Sequence, residues 1–370
     1  MNSNRYLRHS IIDWFDQDYM LNLNILVVGA GALGNETIKN LTLLGCGNID
    51  LYDFDTIEEH NLTRSVLFNE NDIGKNKAKI ISEKGKLLDP NVNINYFTTD
   101  ITLSLTPAKI QKYDVIFCCV DNFEARIYLN KICFLMKIDL INMGMDSRYQ
   151  STEIFPFSTE SNCSCYECNL PYSVYDRLKK RYSCGGLKKL SFIEKKIPTT
   201  IITSSMAAFG VSLGLRLGYN DNIHKSTKIF IDTITADMNK TYYDKNKNCP
   251  ICSTDSKKIK LLTFDKTSEL EFDDDDTTLT LSHSIIKNME CKICNEKESF
   301  INYYYKNALM YDDSLTICPK CKNQSVDIEV SDIIQISEVK HLIKDNNFID
   351  LTFITYEVED YIYIISKGEK

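Results

Sequence analysis

The sequence predicts an α/β protein with a doubly wound, mostly parallel sheet and a smaller β-rich module at its C-terminal end. Three observations carry this. An apolar, β-branched run breaks into a Gly-x-Gly-x-x-Gly turn ahead of a helical pattern, and two further apolar runs each end on aspartate. Four Cys-x-x-Cys pairs complete the set, two of them C-terminal to residue 277.

Asn24-Ile25-Leu26-Val27-Val28 is short, apolar and β-branched, the pattern of a strand buried on both faces. It runs into Gly29-Ala30-Gly31-Ala32-Leu33-Gly34, after which Thr37, Ile38, Leu41, Leu43 and Leu44 recur at roughly helical spacing. Asn48 to Asp53 reads as the next strand and closes a βαβ unit. Asp114 to Val120 reads as a later strand that delivers Asp121 and Asn122 at its carboxyl end. These are the ingredients of a Rossmann-type sheet.

Residues 160 to 197 change character, with clustered cysteines, few apolar residues and a basic stretch from Lys179 to Lys189. They read as a mobile crossover loop, its main body spanning 170–197. Pro198 suits the first turn of a following helix, and Met206 to Gly214 has the small apolar face of one that packs closely. Lysines at 257 and 258 and the acidic run Asp273 to Asp276 read as a solvated linker. The expected division is therefore 1–255, a linker over 256–276, and a module over 277–370.

A chain of 370 residues with 43% hydrophobic and 25% charged residues can bury a sizeable core. The net charge of -8 argues against a general nucleic-acid binder, whose affinity comes from clustered cations, and favours a protein or small-molecule partner. No apolar run is long enough to span a membrane, and the opening Met-Asn-Ser-Asn-Arg does not lead into a signal-peptide core, so the expected compartment is the cytoplasm.

Gly29, Gly31 and Gly34 let backbone amides approach a phosphate at a positive helix N-terminus, and Asp53 lies where a carboxylate accepts ribose hydroxyls. Alone this signals a nucleotide or dinucleotide binder, or a glycine turn with no ligand. Asn61, Arg64, Lys77, Asp121 and Asn122 add what hydride transfer does not need. Attack by a carboxylate on an α-phosphate develops charge on phosphoryl and pyrophosphate oxygens, which calls for fixed cations such as Arg64 and Lys77. Asp121 supplies hard oxygen ligands suited to Mg²⁺.

Over approximately residues 5 to 255 these motifs resemble the superfamily of ubiquitin-activating enzymes and bacterial ThiF/MoeB/HesA adenylyltransferases. The resemblance implies that the glycine loop holds ATP. It places the family's ribose-binding aspartate, asparagine, arginine, lysine and metal-binding aspartate on Asp53, Asn61, Arg64, Lys77 and Asp121. Arg5-Tyr6-Leu7-Arg8 looks like the family's N-terminal segment, which would make Arg8 a finger reaching into a partner subunit's ATP site and imply a homodimer. Without the resemblance Arg8 is an ordinary surface arginine. Ser65 departs from the family's usual glutamine.

Cys165/Cys168 and Cys249/Cys252 each have the gap that lets two thiolates share a tetrahedral ion, but their separation does not join them; the resemblance implies one structural Zn²⁺ between them. Cys291/Cys294 and Cys318/Cys321 have ribbon-like spacing of their own and predict a second zinc site. Redox-active dithiols are the alternative. Cys46, Cys118, Cys119 and Cys133 sit in apolar contexts that favour inert buried thiols, and Cys163 adjoins the first zinc pair. Cys184 lies among Lys and Arg, where positive charge favours the thiolate. It is the candidate thioester cysteine, against the reading of a free loop thiol in an enzyme that only adenylates.

The expected activity is ATP-dependent adenylation of the C-terminal glycine carboxylate of a ubiquitin-like or sulfur-carrier protein. Transfer to Cys184 and onward to a conjugating enzyme, or attack by a sulfur donor, would follow. The alternatives are adenylation of a peptide or carrier without an enzyme thioester, a nicotinamide-dependent oxidoreductase, and an inactive zinc-binding scaffold.

Overall fold

The computed structural model describes residues 4–159, 163–175, 199–217, 225–254, 257–264, 272, 276–308, 311, 313–344 and 351–367. Cys184, Pro198 and most of the expected crossover loop lie outside the described residues. The chain divides into two units, one comprising Met1–Ile101, Ile110–Asn169 and Ile197–Ser253, the other Thr102–Lys109, Leu170–Lys196 and Thr254–Lys370.

The first unit is built on an eight-stranded sheet. After a short helix α1 (Gln17–Asn22) come β1 (Asn24–Val28), α2 (Ala32–Leu44), β2 (Asn48–Tyr52), α3 (Lys77–Leu88) and β3 (Asn93–Phe97). Short helices α4 (Ile101–Ser104) and α5 (Pro107–Ile110), whose residues 102–109 are grouped with the second unit, precede β4 (Val115–Cys118), α6 (Phe123–Met136), β5 (Asp139–Met145) and β6 (Tyr149–Phe155) in the chain. The sheet ends with β7 (Thr227–Asp232) and β8 (Met238–Tyr242) and has the order β3-β2-β1-β4-β5-β6-β7-β8. Pairing is parallel from β3 through β5 and antiparallel from there on.

Ile25, Leu26 and Val27 are fully buried because β1 lies centrally with helices over the sheet, which is why this strand reads as an unbroken apolar run. Ile38 and Leu41 of α2 join it in one core cluster with Ile49, Leu51, Ile81 and Phe117. The helix expected after residue 198 is present as Ile201–Ser205 followed by Ala207–Arg216. Gly210 and Gly214 of the latter sit so close to Met143, Phe117 and Ile141 that a Cβ would come within 2.9 Å of them, so the small residues are what permit the approach.

The second unit contains a five-stranded sheet of β9 (Lys258–Phe264), β10 (Thr278–Cys291), β11 (Val326–Gln335), β12 (Phe353–Val358) and β13 (Tyr361–Lys367), in the order β11-β10-β12-β13-β9. Its core gathers Leu279, Leu281, Ile334, Val339, Ile354 and Ile365. The linker expected over 256–276 is corrected here. Lys258 to Phe264 pairs in parallel with β13, from Lys258 opposite Tyr361 to Phe264 opposite Lys367. Ile259, Leu261 and Thr263 alternate with Lys258, Lys260 and Leu262, a period of two that the neighbouring charges obscured. Among the described residues no helix is long and apolar enough to cross a membrane.

Candidate nucleotide site and cysteine quartets

Chain order reverses between β1 and β4, which lie side by side although β2 and β3 intervene in sequence. The crevice outside the carboxyl ends of such strands is where open α/β sheets take ligands. The glycine turn leaves β1 at this point. Gly29 has φ of +95°, and a Cβ there would meet the carbonyl carbon and oxygen of Cys119 at 2.8 Å, so the turn is pressed against the end of β4. Gly34 lies equally close to the turn, where a Cβ would stand 1.8 Å from the Gly29 carbonyl oxygen. Gly31 is different, because nothing lies within 4 Å of the position its Cβ would take.

Gly31 is also the N-cap of α2 and, as glycine, brings no side chain to cap the first amides of that helix. By contrast, Asn76 caps α3 by accepting from the Lys79 amide at 2.9 Å, and Asn122 caps α6 by accepting from the Ala125 amide at 2.9 Å. The helix that starts at the glycine turn therefore presents its positive end to the open space over Gly31.

Asp53, at the end of β2, forms the adjoining wall. Its carboxylate accepts from the Ala30 amide at 2.6 Å and from the Asp55 amide at 2.8 Å. Burial pushes this carboxyl up to about 6, against the pull of the Lys77 charge and the two amides. Lys77, the first residue of α3, donates to Asp55 at 2.8 Å, and Asn76 donates to the Asp53 and Asp55 carbonyls at 3.0 and 3.1 Å. Gly29–Gly34, Asp53 and Lys77 are thereby gathered around the ends of β1 and β2, with Asp121 exposed three residues beyond β4.

Asn61 and Arg64 sit on a separate turn. Asn61 is buried and accepts from the Glu58 amide at 2.9 Å, whereas Arg64 donates to the His60 carbonyl at 2.6 Å. Asn35, in the first turn of α2, accepts from the Leu67 amide at 2.8 Å and so ties this segment to the glycine-loop helix. Sequence reasoning singled out neither Asn35 nor Arg126, which donates to the Val120 carbonyl and to Asn142 and fixes the end of β4. The Asn122 amide oxygen, expected at the nucleotide, is engaged in capping α6.

Arg8 is exposed and follows a segment held at the opposite end of α3 from Lys77. Arg5 donates to the Leu88 carbonyl at 2.9 Å and pairs with Asp89, and Tyr6 bonds Asp89, so the opening segment is fastened where α3 ends. Lys77 begins that same helix, about 18 Å away along its axis at 1.5 Å per residue. The structure does not bring Arg8 to the glycine turn of its own chain.

The first cysteine quartet is assembled. The Sγ atoms of Cys165, Cys168, Cys249 and Cys252 all lie within 4.8 Å of one another, all four residues buried, with Cys165 3.5 Å from Cys249 and Cys168 3.1 Å from Cys252. Cys291, Cys294, Cys318 and Cys321 form a second such group. Cys163 is not part of the first; it faces the Ser226 hydroxyl at 2.6 Å. Burial pushes Cys46 and Cys119 up to about 12 and also raises Cys118 and Cys133, as expected for inert thiols.

The ThiF family model matches residues 4–251. The chain is 34% identical over 152 residues to SUMO-activating enzyme subunit 2 of Dictyostelium discoideum, covering 41% of this chain and 22% of that protein. It is 27% identical over 256 residues to SAMP-activating enzyme E1 of Haloferax volcanii, covering 67% of this chain and 88% of the relative. Among solved structures, Escherichia coli MccB with AMPCPP and MccA superposes with a TM-score of 0.54 at 24% identity, over 68% of this chain and 75% of MccB, a likeness of fold.

Proposed function

Because this chain belongs to the ThiF family, we propose that it is an ATP-dependent adenylyltransferase that activates the C-terminal carboxylate of a small ubiquitin-like or sulfur-carrier protein. The observation that carries the reading is the uncapped glycine turn beside Asp53, open over Gly31 and flanked by Lys77. A nicotinamide site shares the turn and the aspartate but has no use for cations at the far phosphate.

In this reading the amides at the start of α2 hold phosphate oxygens and Asp53 accepts from the ribose hydroxyls. The carrier's carboxylate oxygen attacks the α-phosphorus, the bond to the bridging oxygen breaks, and pyrophosphate leaves with that electron pair. Arg64 and Lys77 balance the charge that develops on the transferring and departing oxygens. Asp121 offers hard oxygen ligands for Mg²⁺, which would neutralise phosphate charge. No protein nucleophile is needed for this step.

Arg8, which follows the Arg5–Tyr6 segment fastened where α3 ends, would serve a second copy of the chain, and so we propose a homodimer. Cys184 is proposed to receive the acyl group from the adenylate as a thioester, releasing AMP, for onward passage to a conjugating enzyme. A sulfur donor attacking the adenylate is the other route. The buried quartet Cys165, Cys168, Cys249 and Cys252 fits tetrahedral Zn²⁺, whose Zn–S bonds of about 2.3 Å put sulfurs near 3.8 Å apart. Reduced thiols of this kind suit a cytoplasmic protein.

The test is intact-mass detection of a carrier–AMP adduct after incubation with ATP and Mg²⁺, using ubiquitin-fold carriers ending in glycine and short peptides with free carboxylates. Adduct on the folded carriers supports the proposal. Adduct on peptides alone moves the reading to a peptide adenylyltransferase, and tight nicotinamide binding without any adduct overturns it.

A further inference from the structure

We propose that Cys291, Cys294, Cys318 and Cys321 hold a zinc(II) ion of their own, and that this ion orders the segment between β10 and β11 independently of the five-stranded sheet. Their Sγ atoms lie within 4.8 Å of one another, with Cys291 3.6 Å from Cys321 and Cys294 3.6 Å from Cys318, close to the spacing of sulfurs around one tetrahedral ion. They belong to the second unit, beyond the residues the family model matches.

The two pairs are built alike, and this is independent of the sulfur distances. In each, the residue after the second cysteine is left-handed, Asn295 with φ of 55° and Lys322 with φ of 62°. In each, that residue's amide donates to the first cysteine's carbonyl at 2.9 Å, from Asn295 to Cys291 and from Lys322 to Cys318. The first cysteine's amide then donates five residues ahead, from Cys291 to Glu296 at 3.0 Å and from Cys318 to Asn323 at 2.9 Å. Two equivalent turns converge from opposite sides, with Lys320 of one paired to Glu296 of the other at 3.1 Å. The Cys294 amide points at Cys291 Sγ at 3.5 Å, and the Ser325 hydroxyl lies 3.0 Å from the same sulfur, donors of the kind that bound thiolates accept.

Four thiols surrender their protons to solvent on binding and the ion keeps its charge, so the step involves no oxidation. The complex carries a net charge of −2, and Lys292, Lys297 and Lys320 stand on these turns or beside them.

Between Cys291 and Val326 the described residues form 3₁₀ turns at Glu298–Tyr303 and Asp313–Thr316 and isolated bridges, with no paired strand of their own. Their apolar cluster joins Ile286, Met289, Phe300, Ala308, Val326 and Ile328 to the ligands Cys291 and Cys318, with Cys294 and Cys321 packed against it beside Tyr303, Tyr304 and Leu315. The sheet's own cluster, around Leu281, Ile334, Ile354 and Ile365, contains none of the four cysteines. All four ligands thus belong to the core that orders this segment, so the ion ties its two halves together at the centre and its removal loosens them. Cys294 and Cys321 are half-buried, whereas every ligand of the first quartet is buried, so this ion is the more accessible of the two.

The experiment combines metal analysis and hydrogen exchange on the full chain, comparing wild type with Cys294→Ser/Cys321→Ser. The expected result is loss of one zinc per chain, with exchange at least about tenfold faster in peptides from 292–325 and unchanged within about twofold over Phe353–Lys367. An unchanged zinc content, iron in place of zinc, persistent protection of 292–325, or collapse of β12 and β13 together with it would each overturn the proposal. Should the variant fail to fold, stepwise removal of zinc from wild type by a colorimetric chelator gives the same readouts, the first ion released taking protection of 292–325 with it. Adenylate formation enters neither readout, so failure here leaves the adenylation proposal standing, and the reverse.

Discussion

Replacing Gly31 by alanine separates ligand space from protein packing, because the position tolerates a methyl group sterically while lying over the proposed phosphate site. Gly31 has φ of −71°, which alanine adopts without strain, and no atom lies within 4 Å of the new Cβ. Reduced unfolded-chain entropy contributes about 0.4–1 kcal/mol in favour of the variant, and alanine is a poorer helix cap by about 0.5–1 kcal/mol. The two offset, so the melting temperature should stay within roughly 3 °C of wild type. A phosphate pressed against the backbone at Gly31 would be displaced, however. Losing one charge-assisted hydrogen bond of about 1.5–3 kcal/mol weakens ATP binding roughly 10- to 100-fold. The control is Gly34→Ala, whose Cβ would fall 1.8 Å from the Gly29 carbonyl oxygen and must move backbone, at about 1–3 kcal/mol. Calorimetric ATP titration and thermal melts on both variants decide the matter. Wild-type ATP affinity in Gly31→Ala would refute the placement of phosphate at this turn.

Other outcomes follow from particular groups. Burial raises the Asp53 carboxyl from 3.8 to about 6, so the folded state holds this proton more tightly than the unfolded chain does. Its contribution to stability is therefore full below about pH 4 and lost as pH rises through about 6, roughly 1–2 kcal/mol after solvent screening. Denaturation of wild type against Asp53→Asn between pH 4 and 8 should show wild type losing ground as pH rises; the opposite slope contradicts the burial argument. Cys165 is fully buried within the first quartet, and Cys165→Ser should cost a bound zinc and on the order of 3 kcal/mol, a fall of roughly 10 °C. An unchanged melt and zinc content would remove the metal from that site.

The parts of the molecule that were legible in the sequence are those dictated locally. The run from Asn24 to Val28, the glycine spacing and the apolar period through Leu41 name strand, turn and helix, because a central parallel strand and a helix packed on it have distinct periods. Asp53 follows from its place at a strand end. The capping roles of Asn76 and Asn122 were not read, since a side chain that satisfies its own helix looks the same in sequence as one aimed at a ligand. Strand β9 was hidden because it is an edge strand, with Lys258 and Lys260 on its exposed positions, and its partner β13 lies some hundred residues later. Joining Cys165 and Cys168 to Cys249 and Cys252 likewise needed tertiary structure, because spacing within each pair says nothing about which pairs meet.

The most direct test of the central claim is ATP–pyrophosphate exchange with a carrier ending in glycine, comparing wild type, Asp121→Ala and Cys184→Ala. Asp121 is exposed, so its removal should leave the fold intact while lowering exchange at least about 100-fold. Cys184→Ala should exchange as wild type does, since adenylation precedes any thioester. Exchange that survives in Asp121→Ala, or that no carrier elicits from folded wild type, would contradict the account.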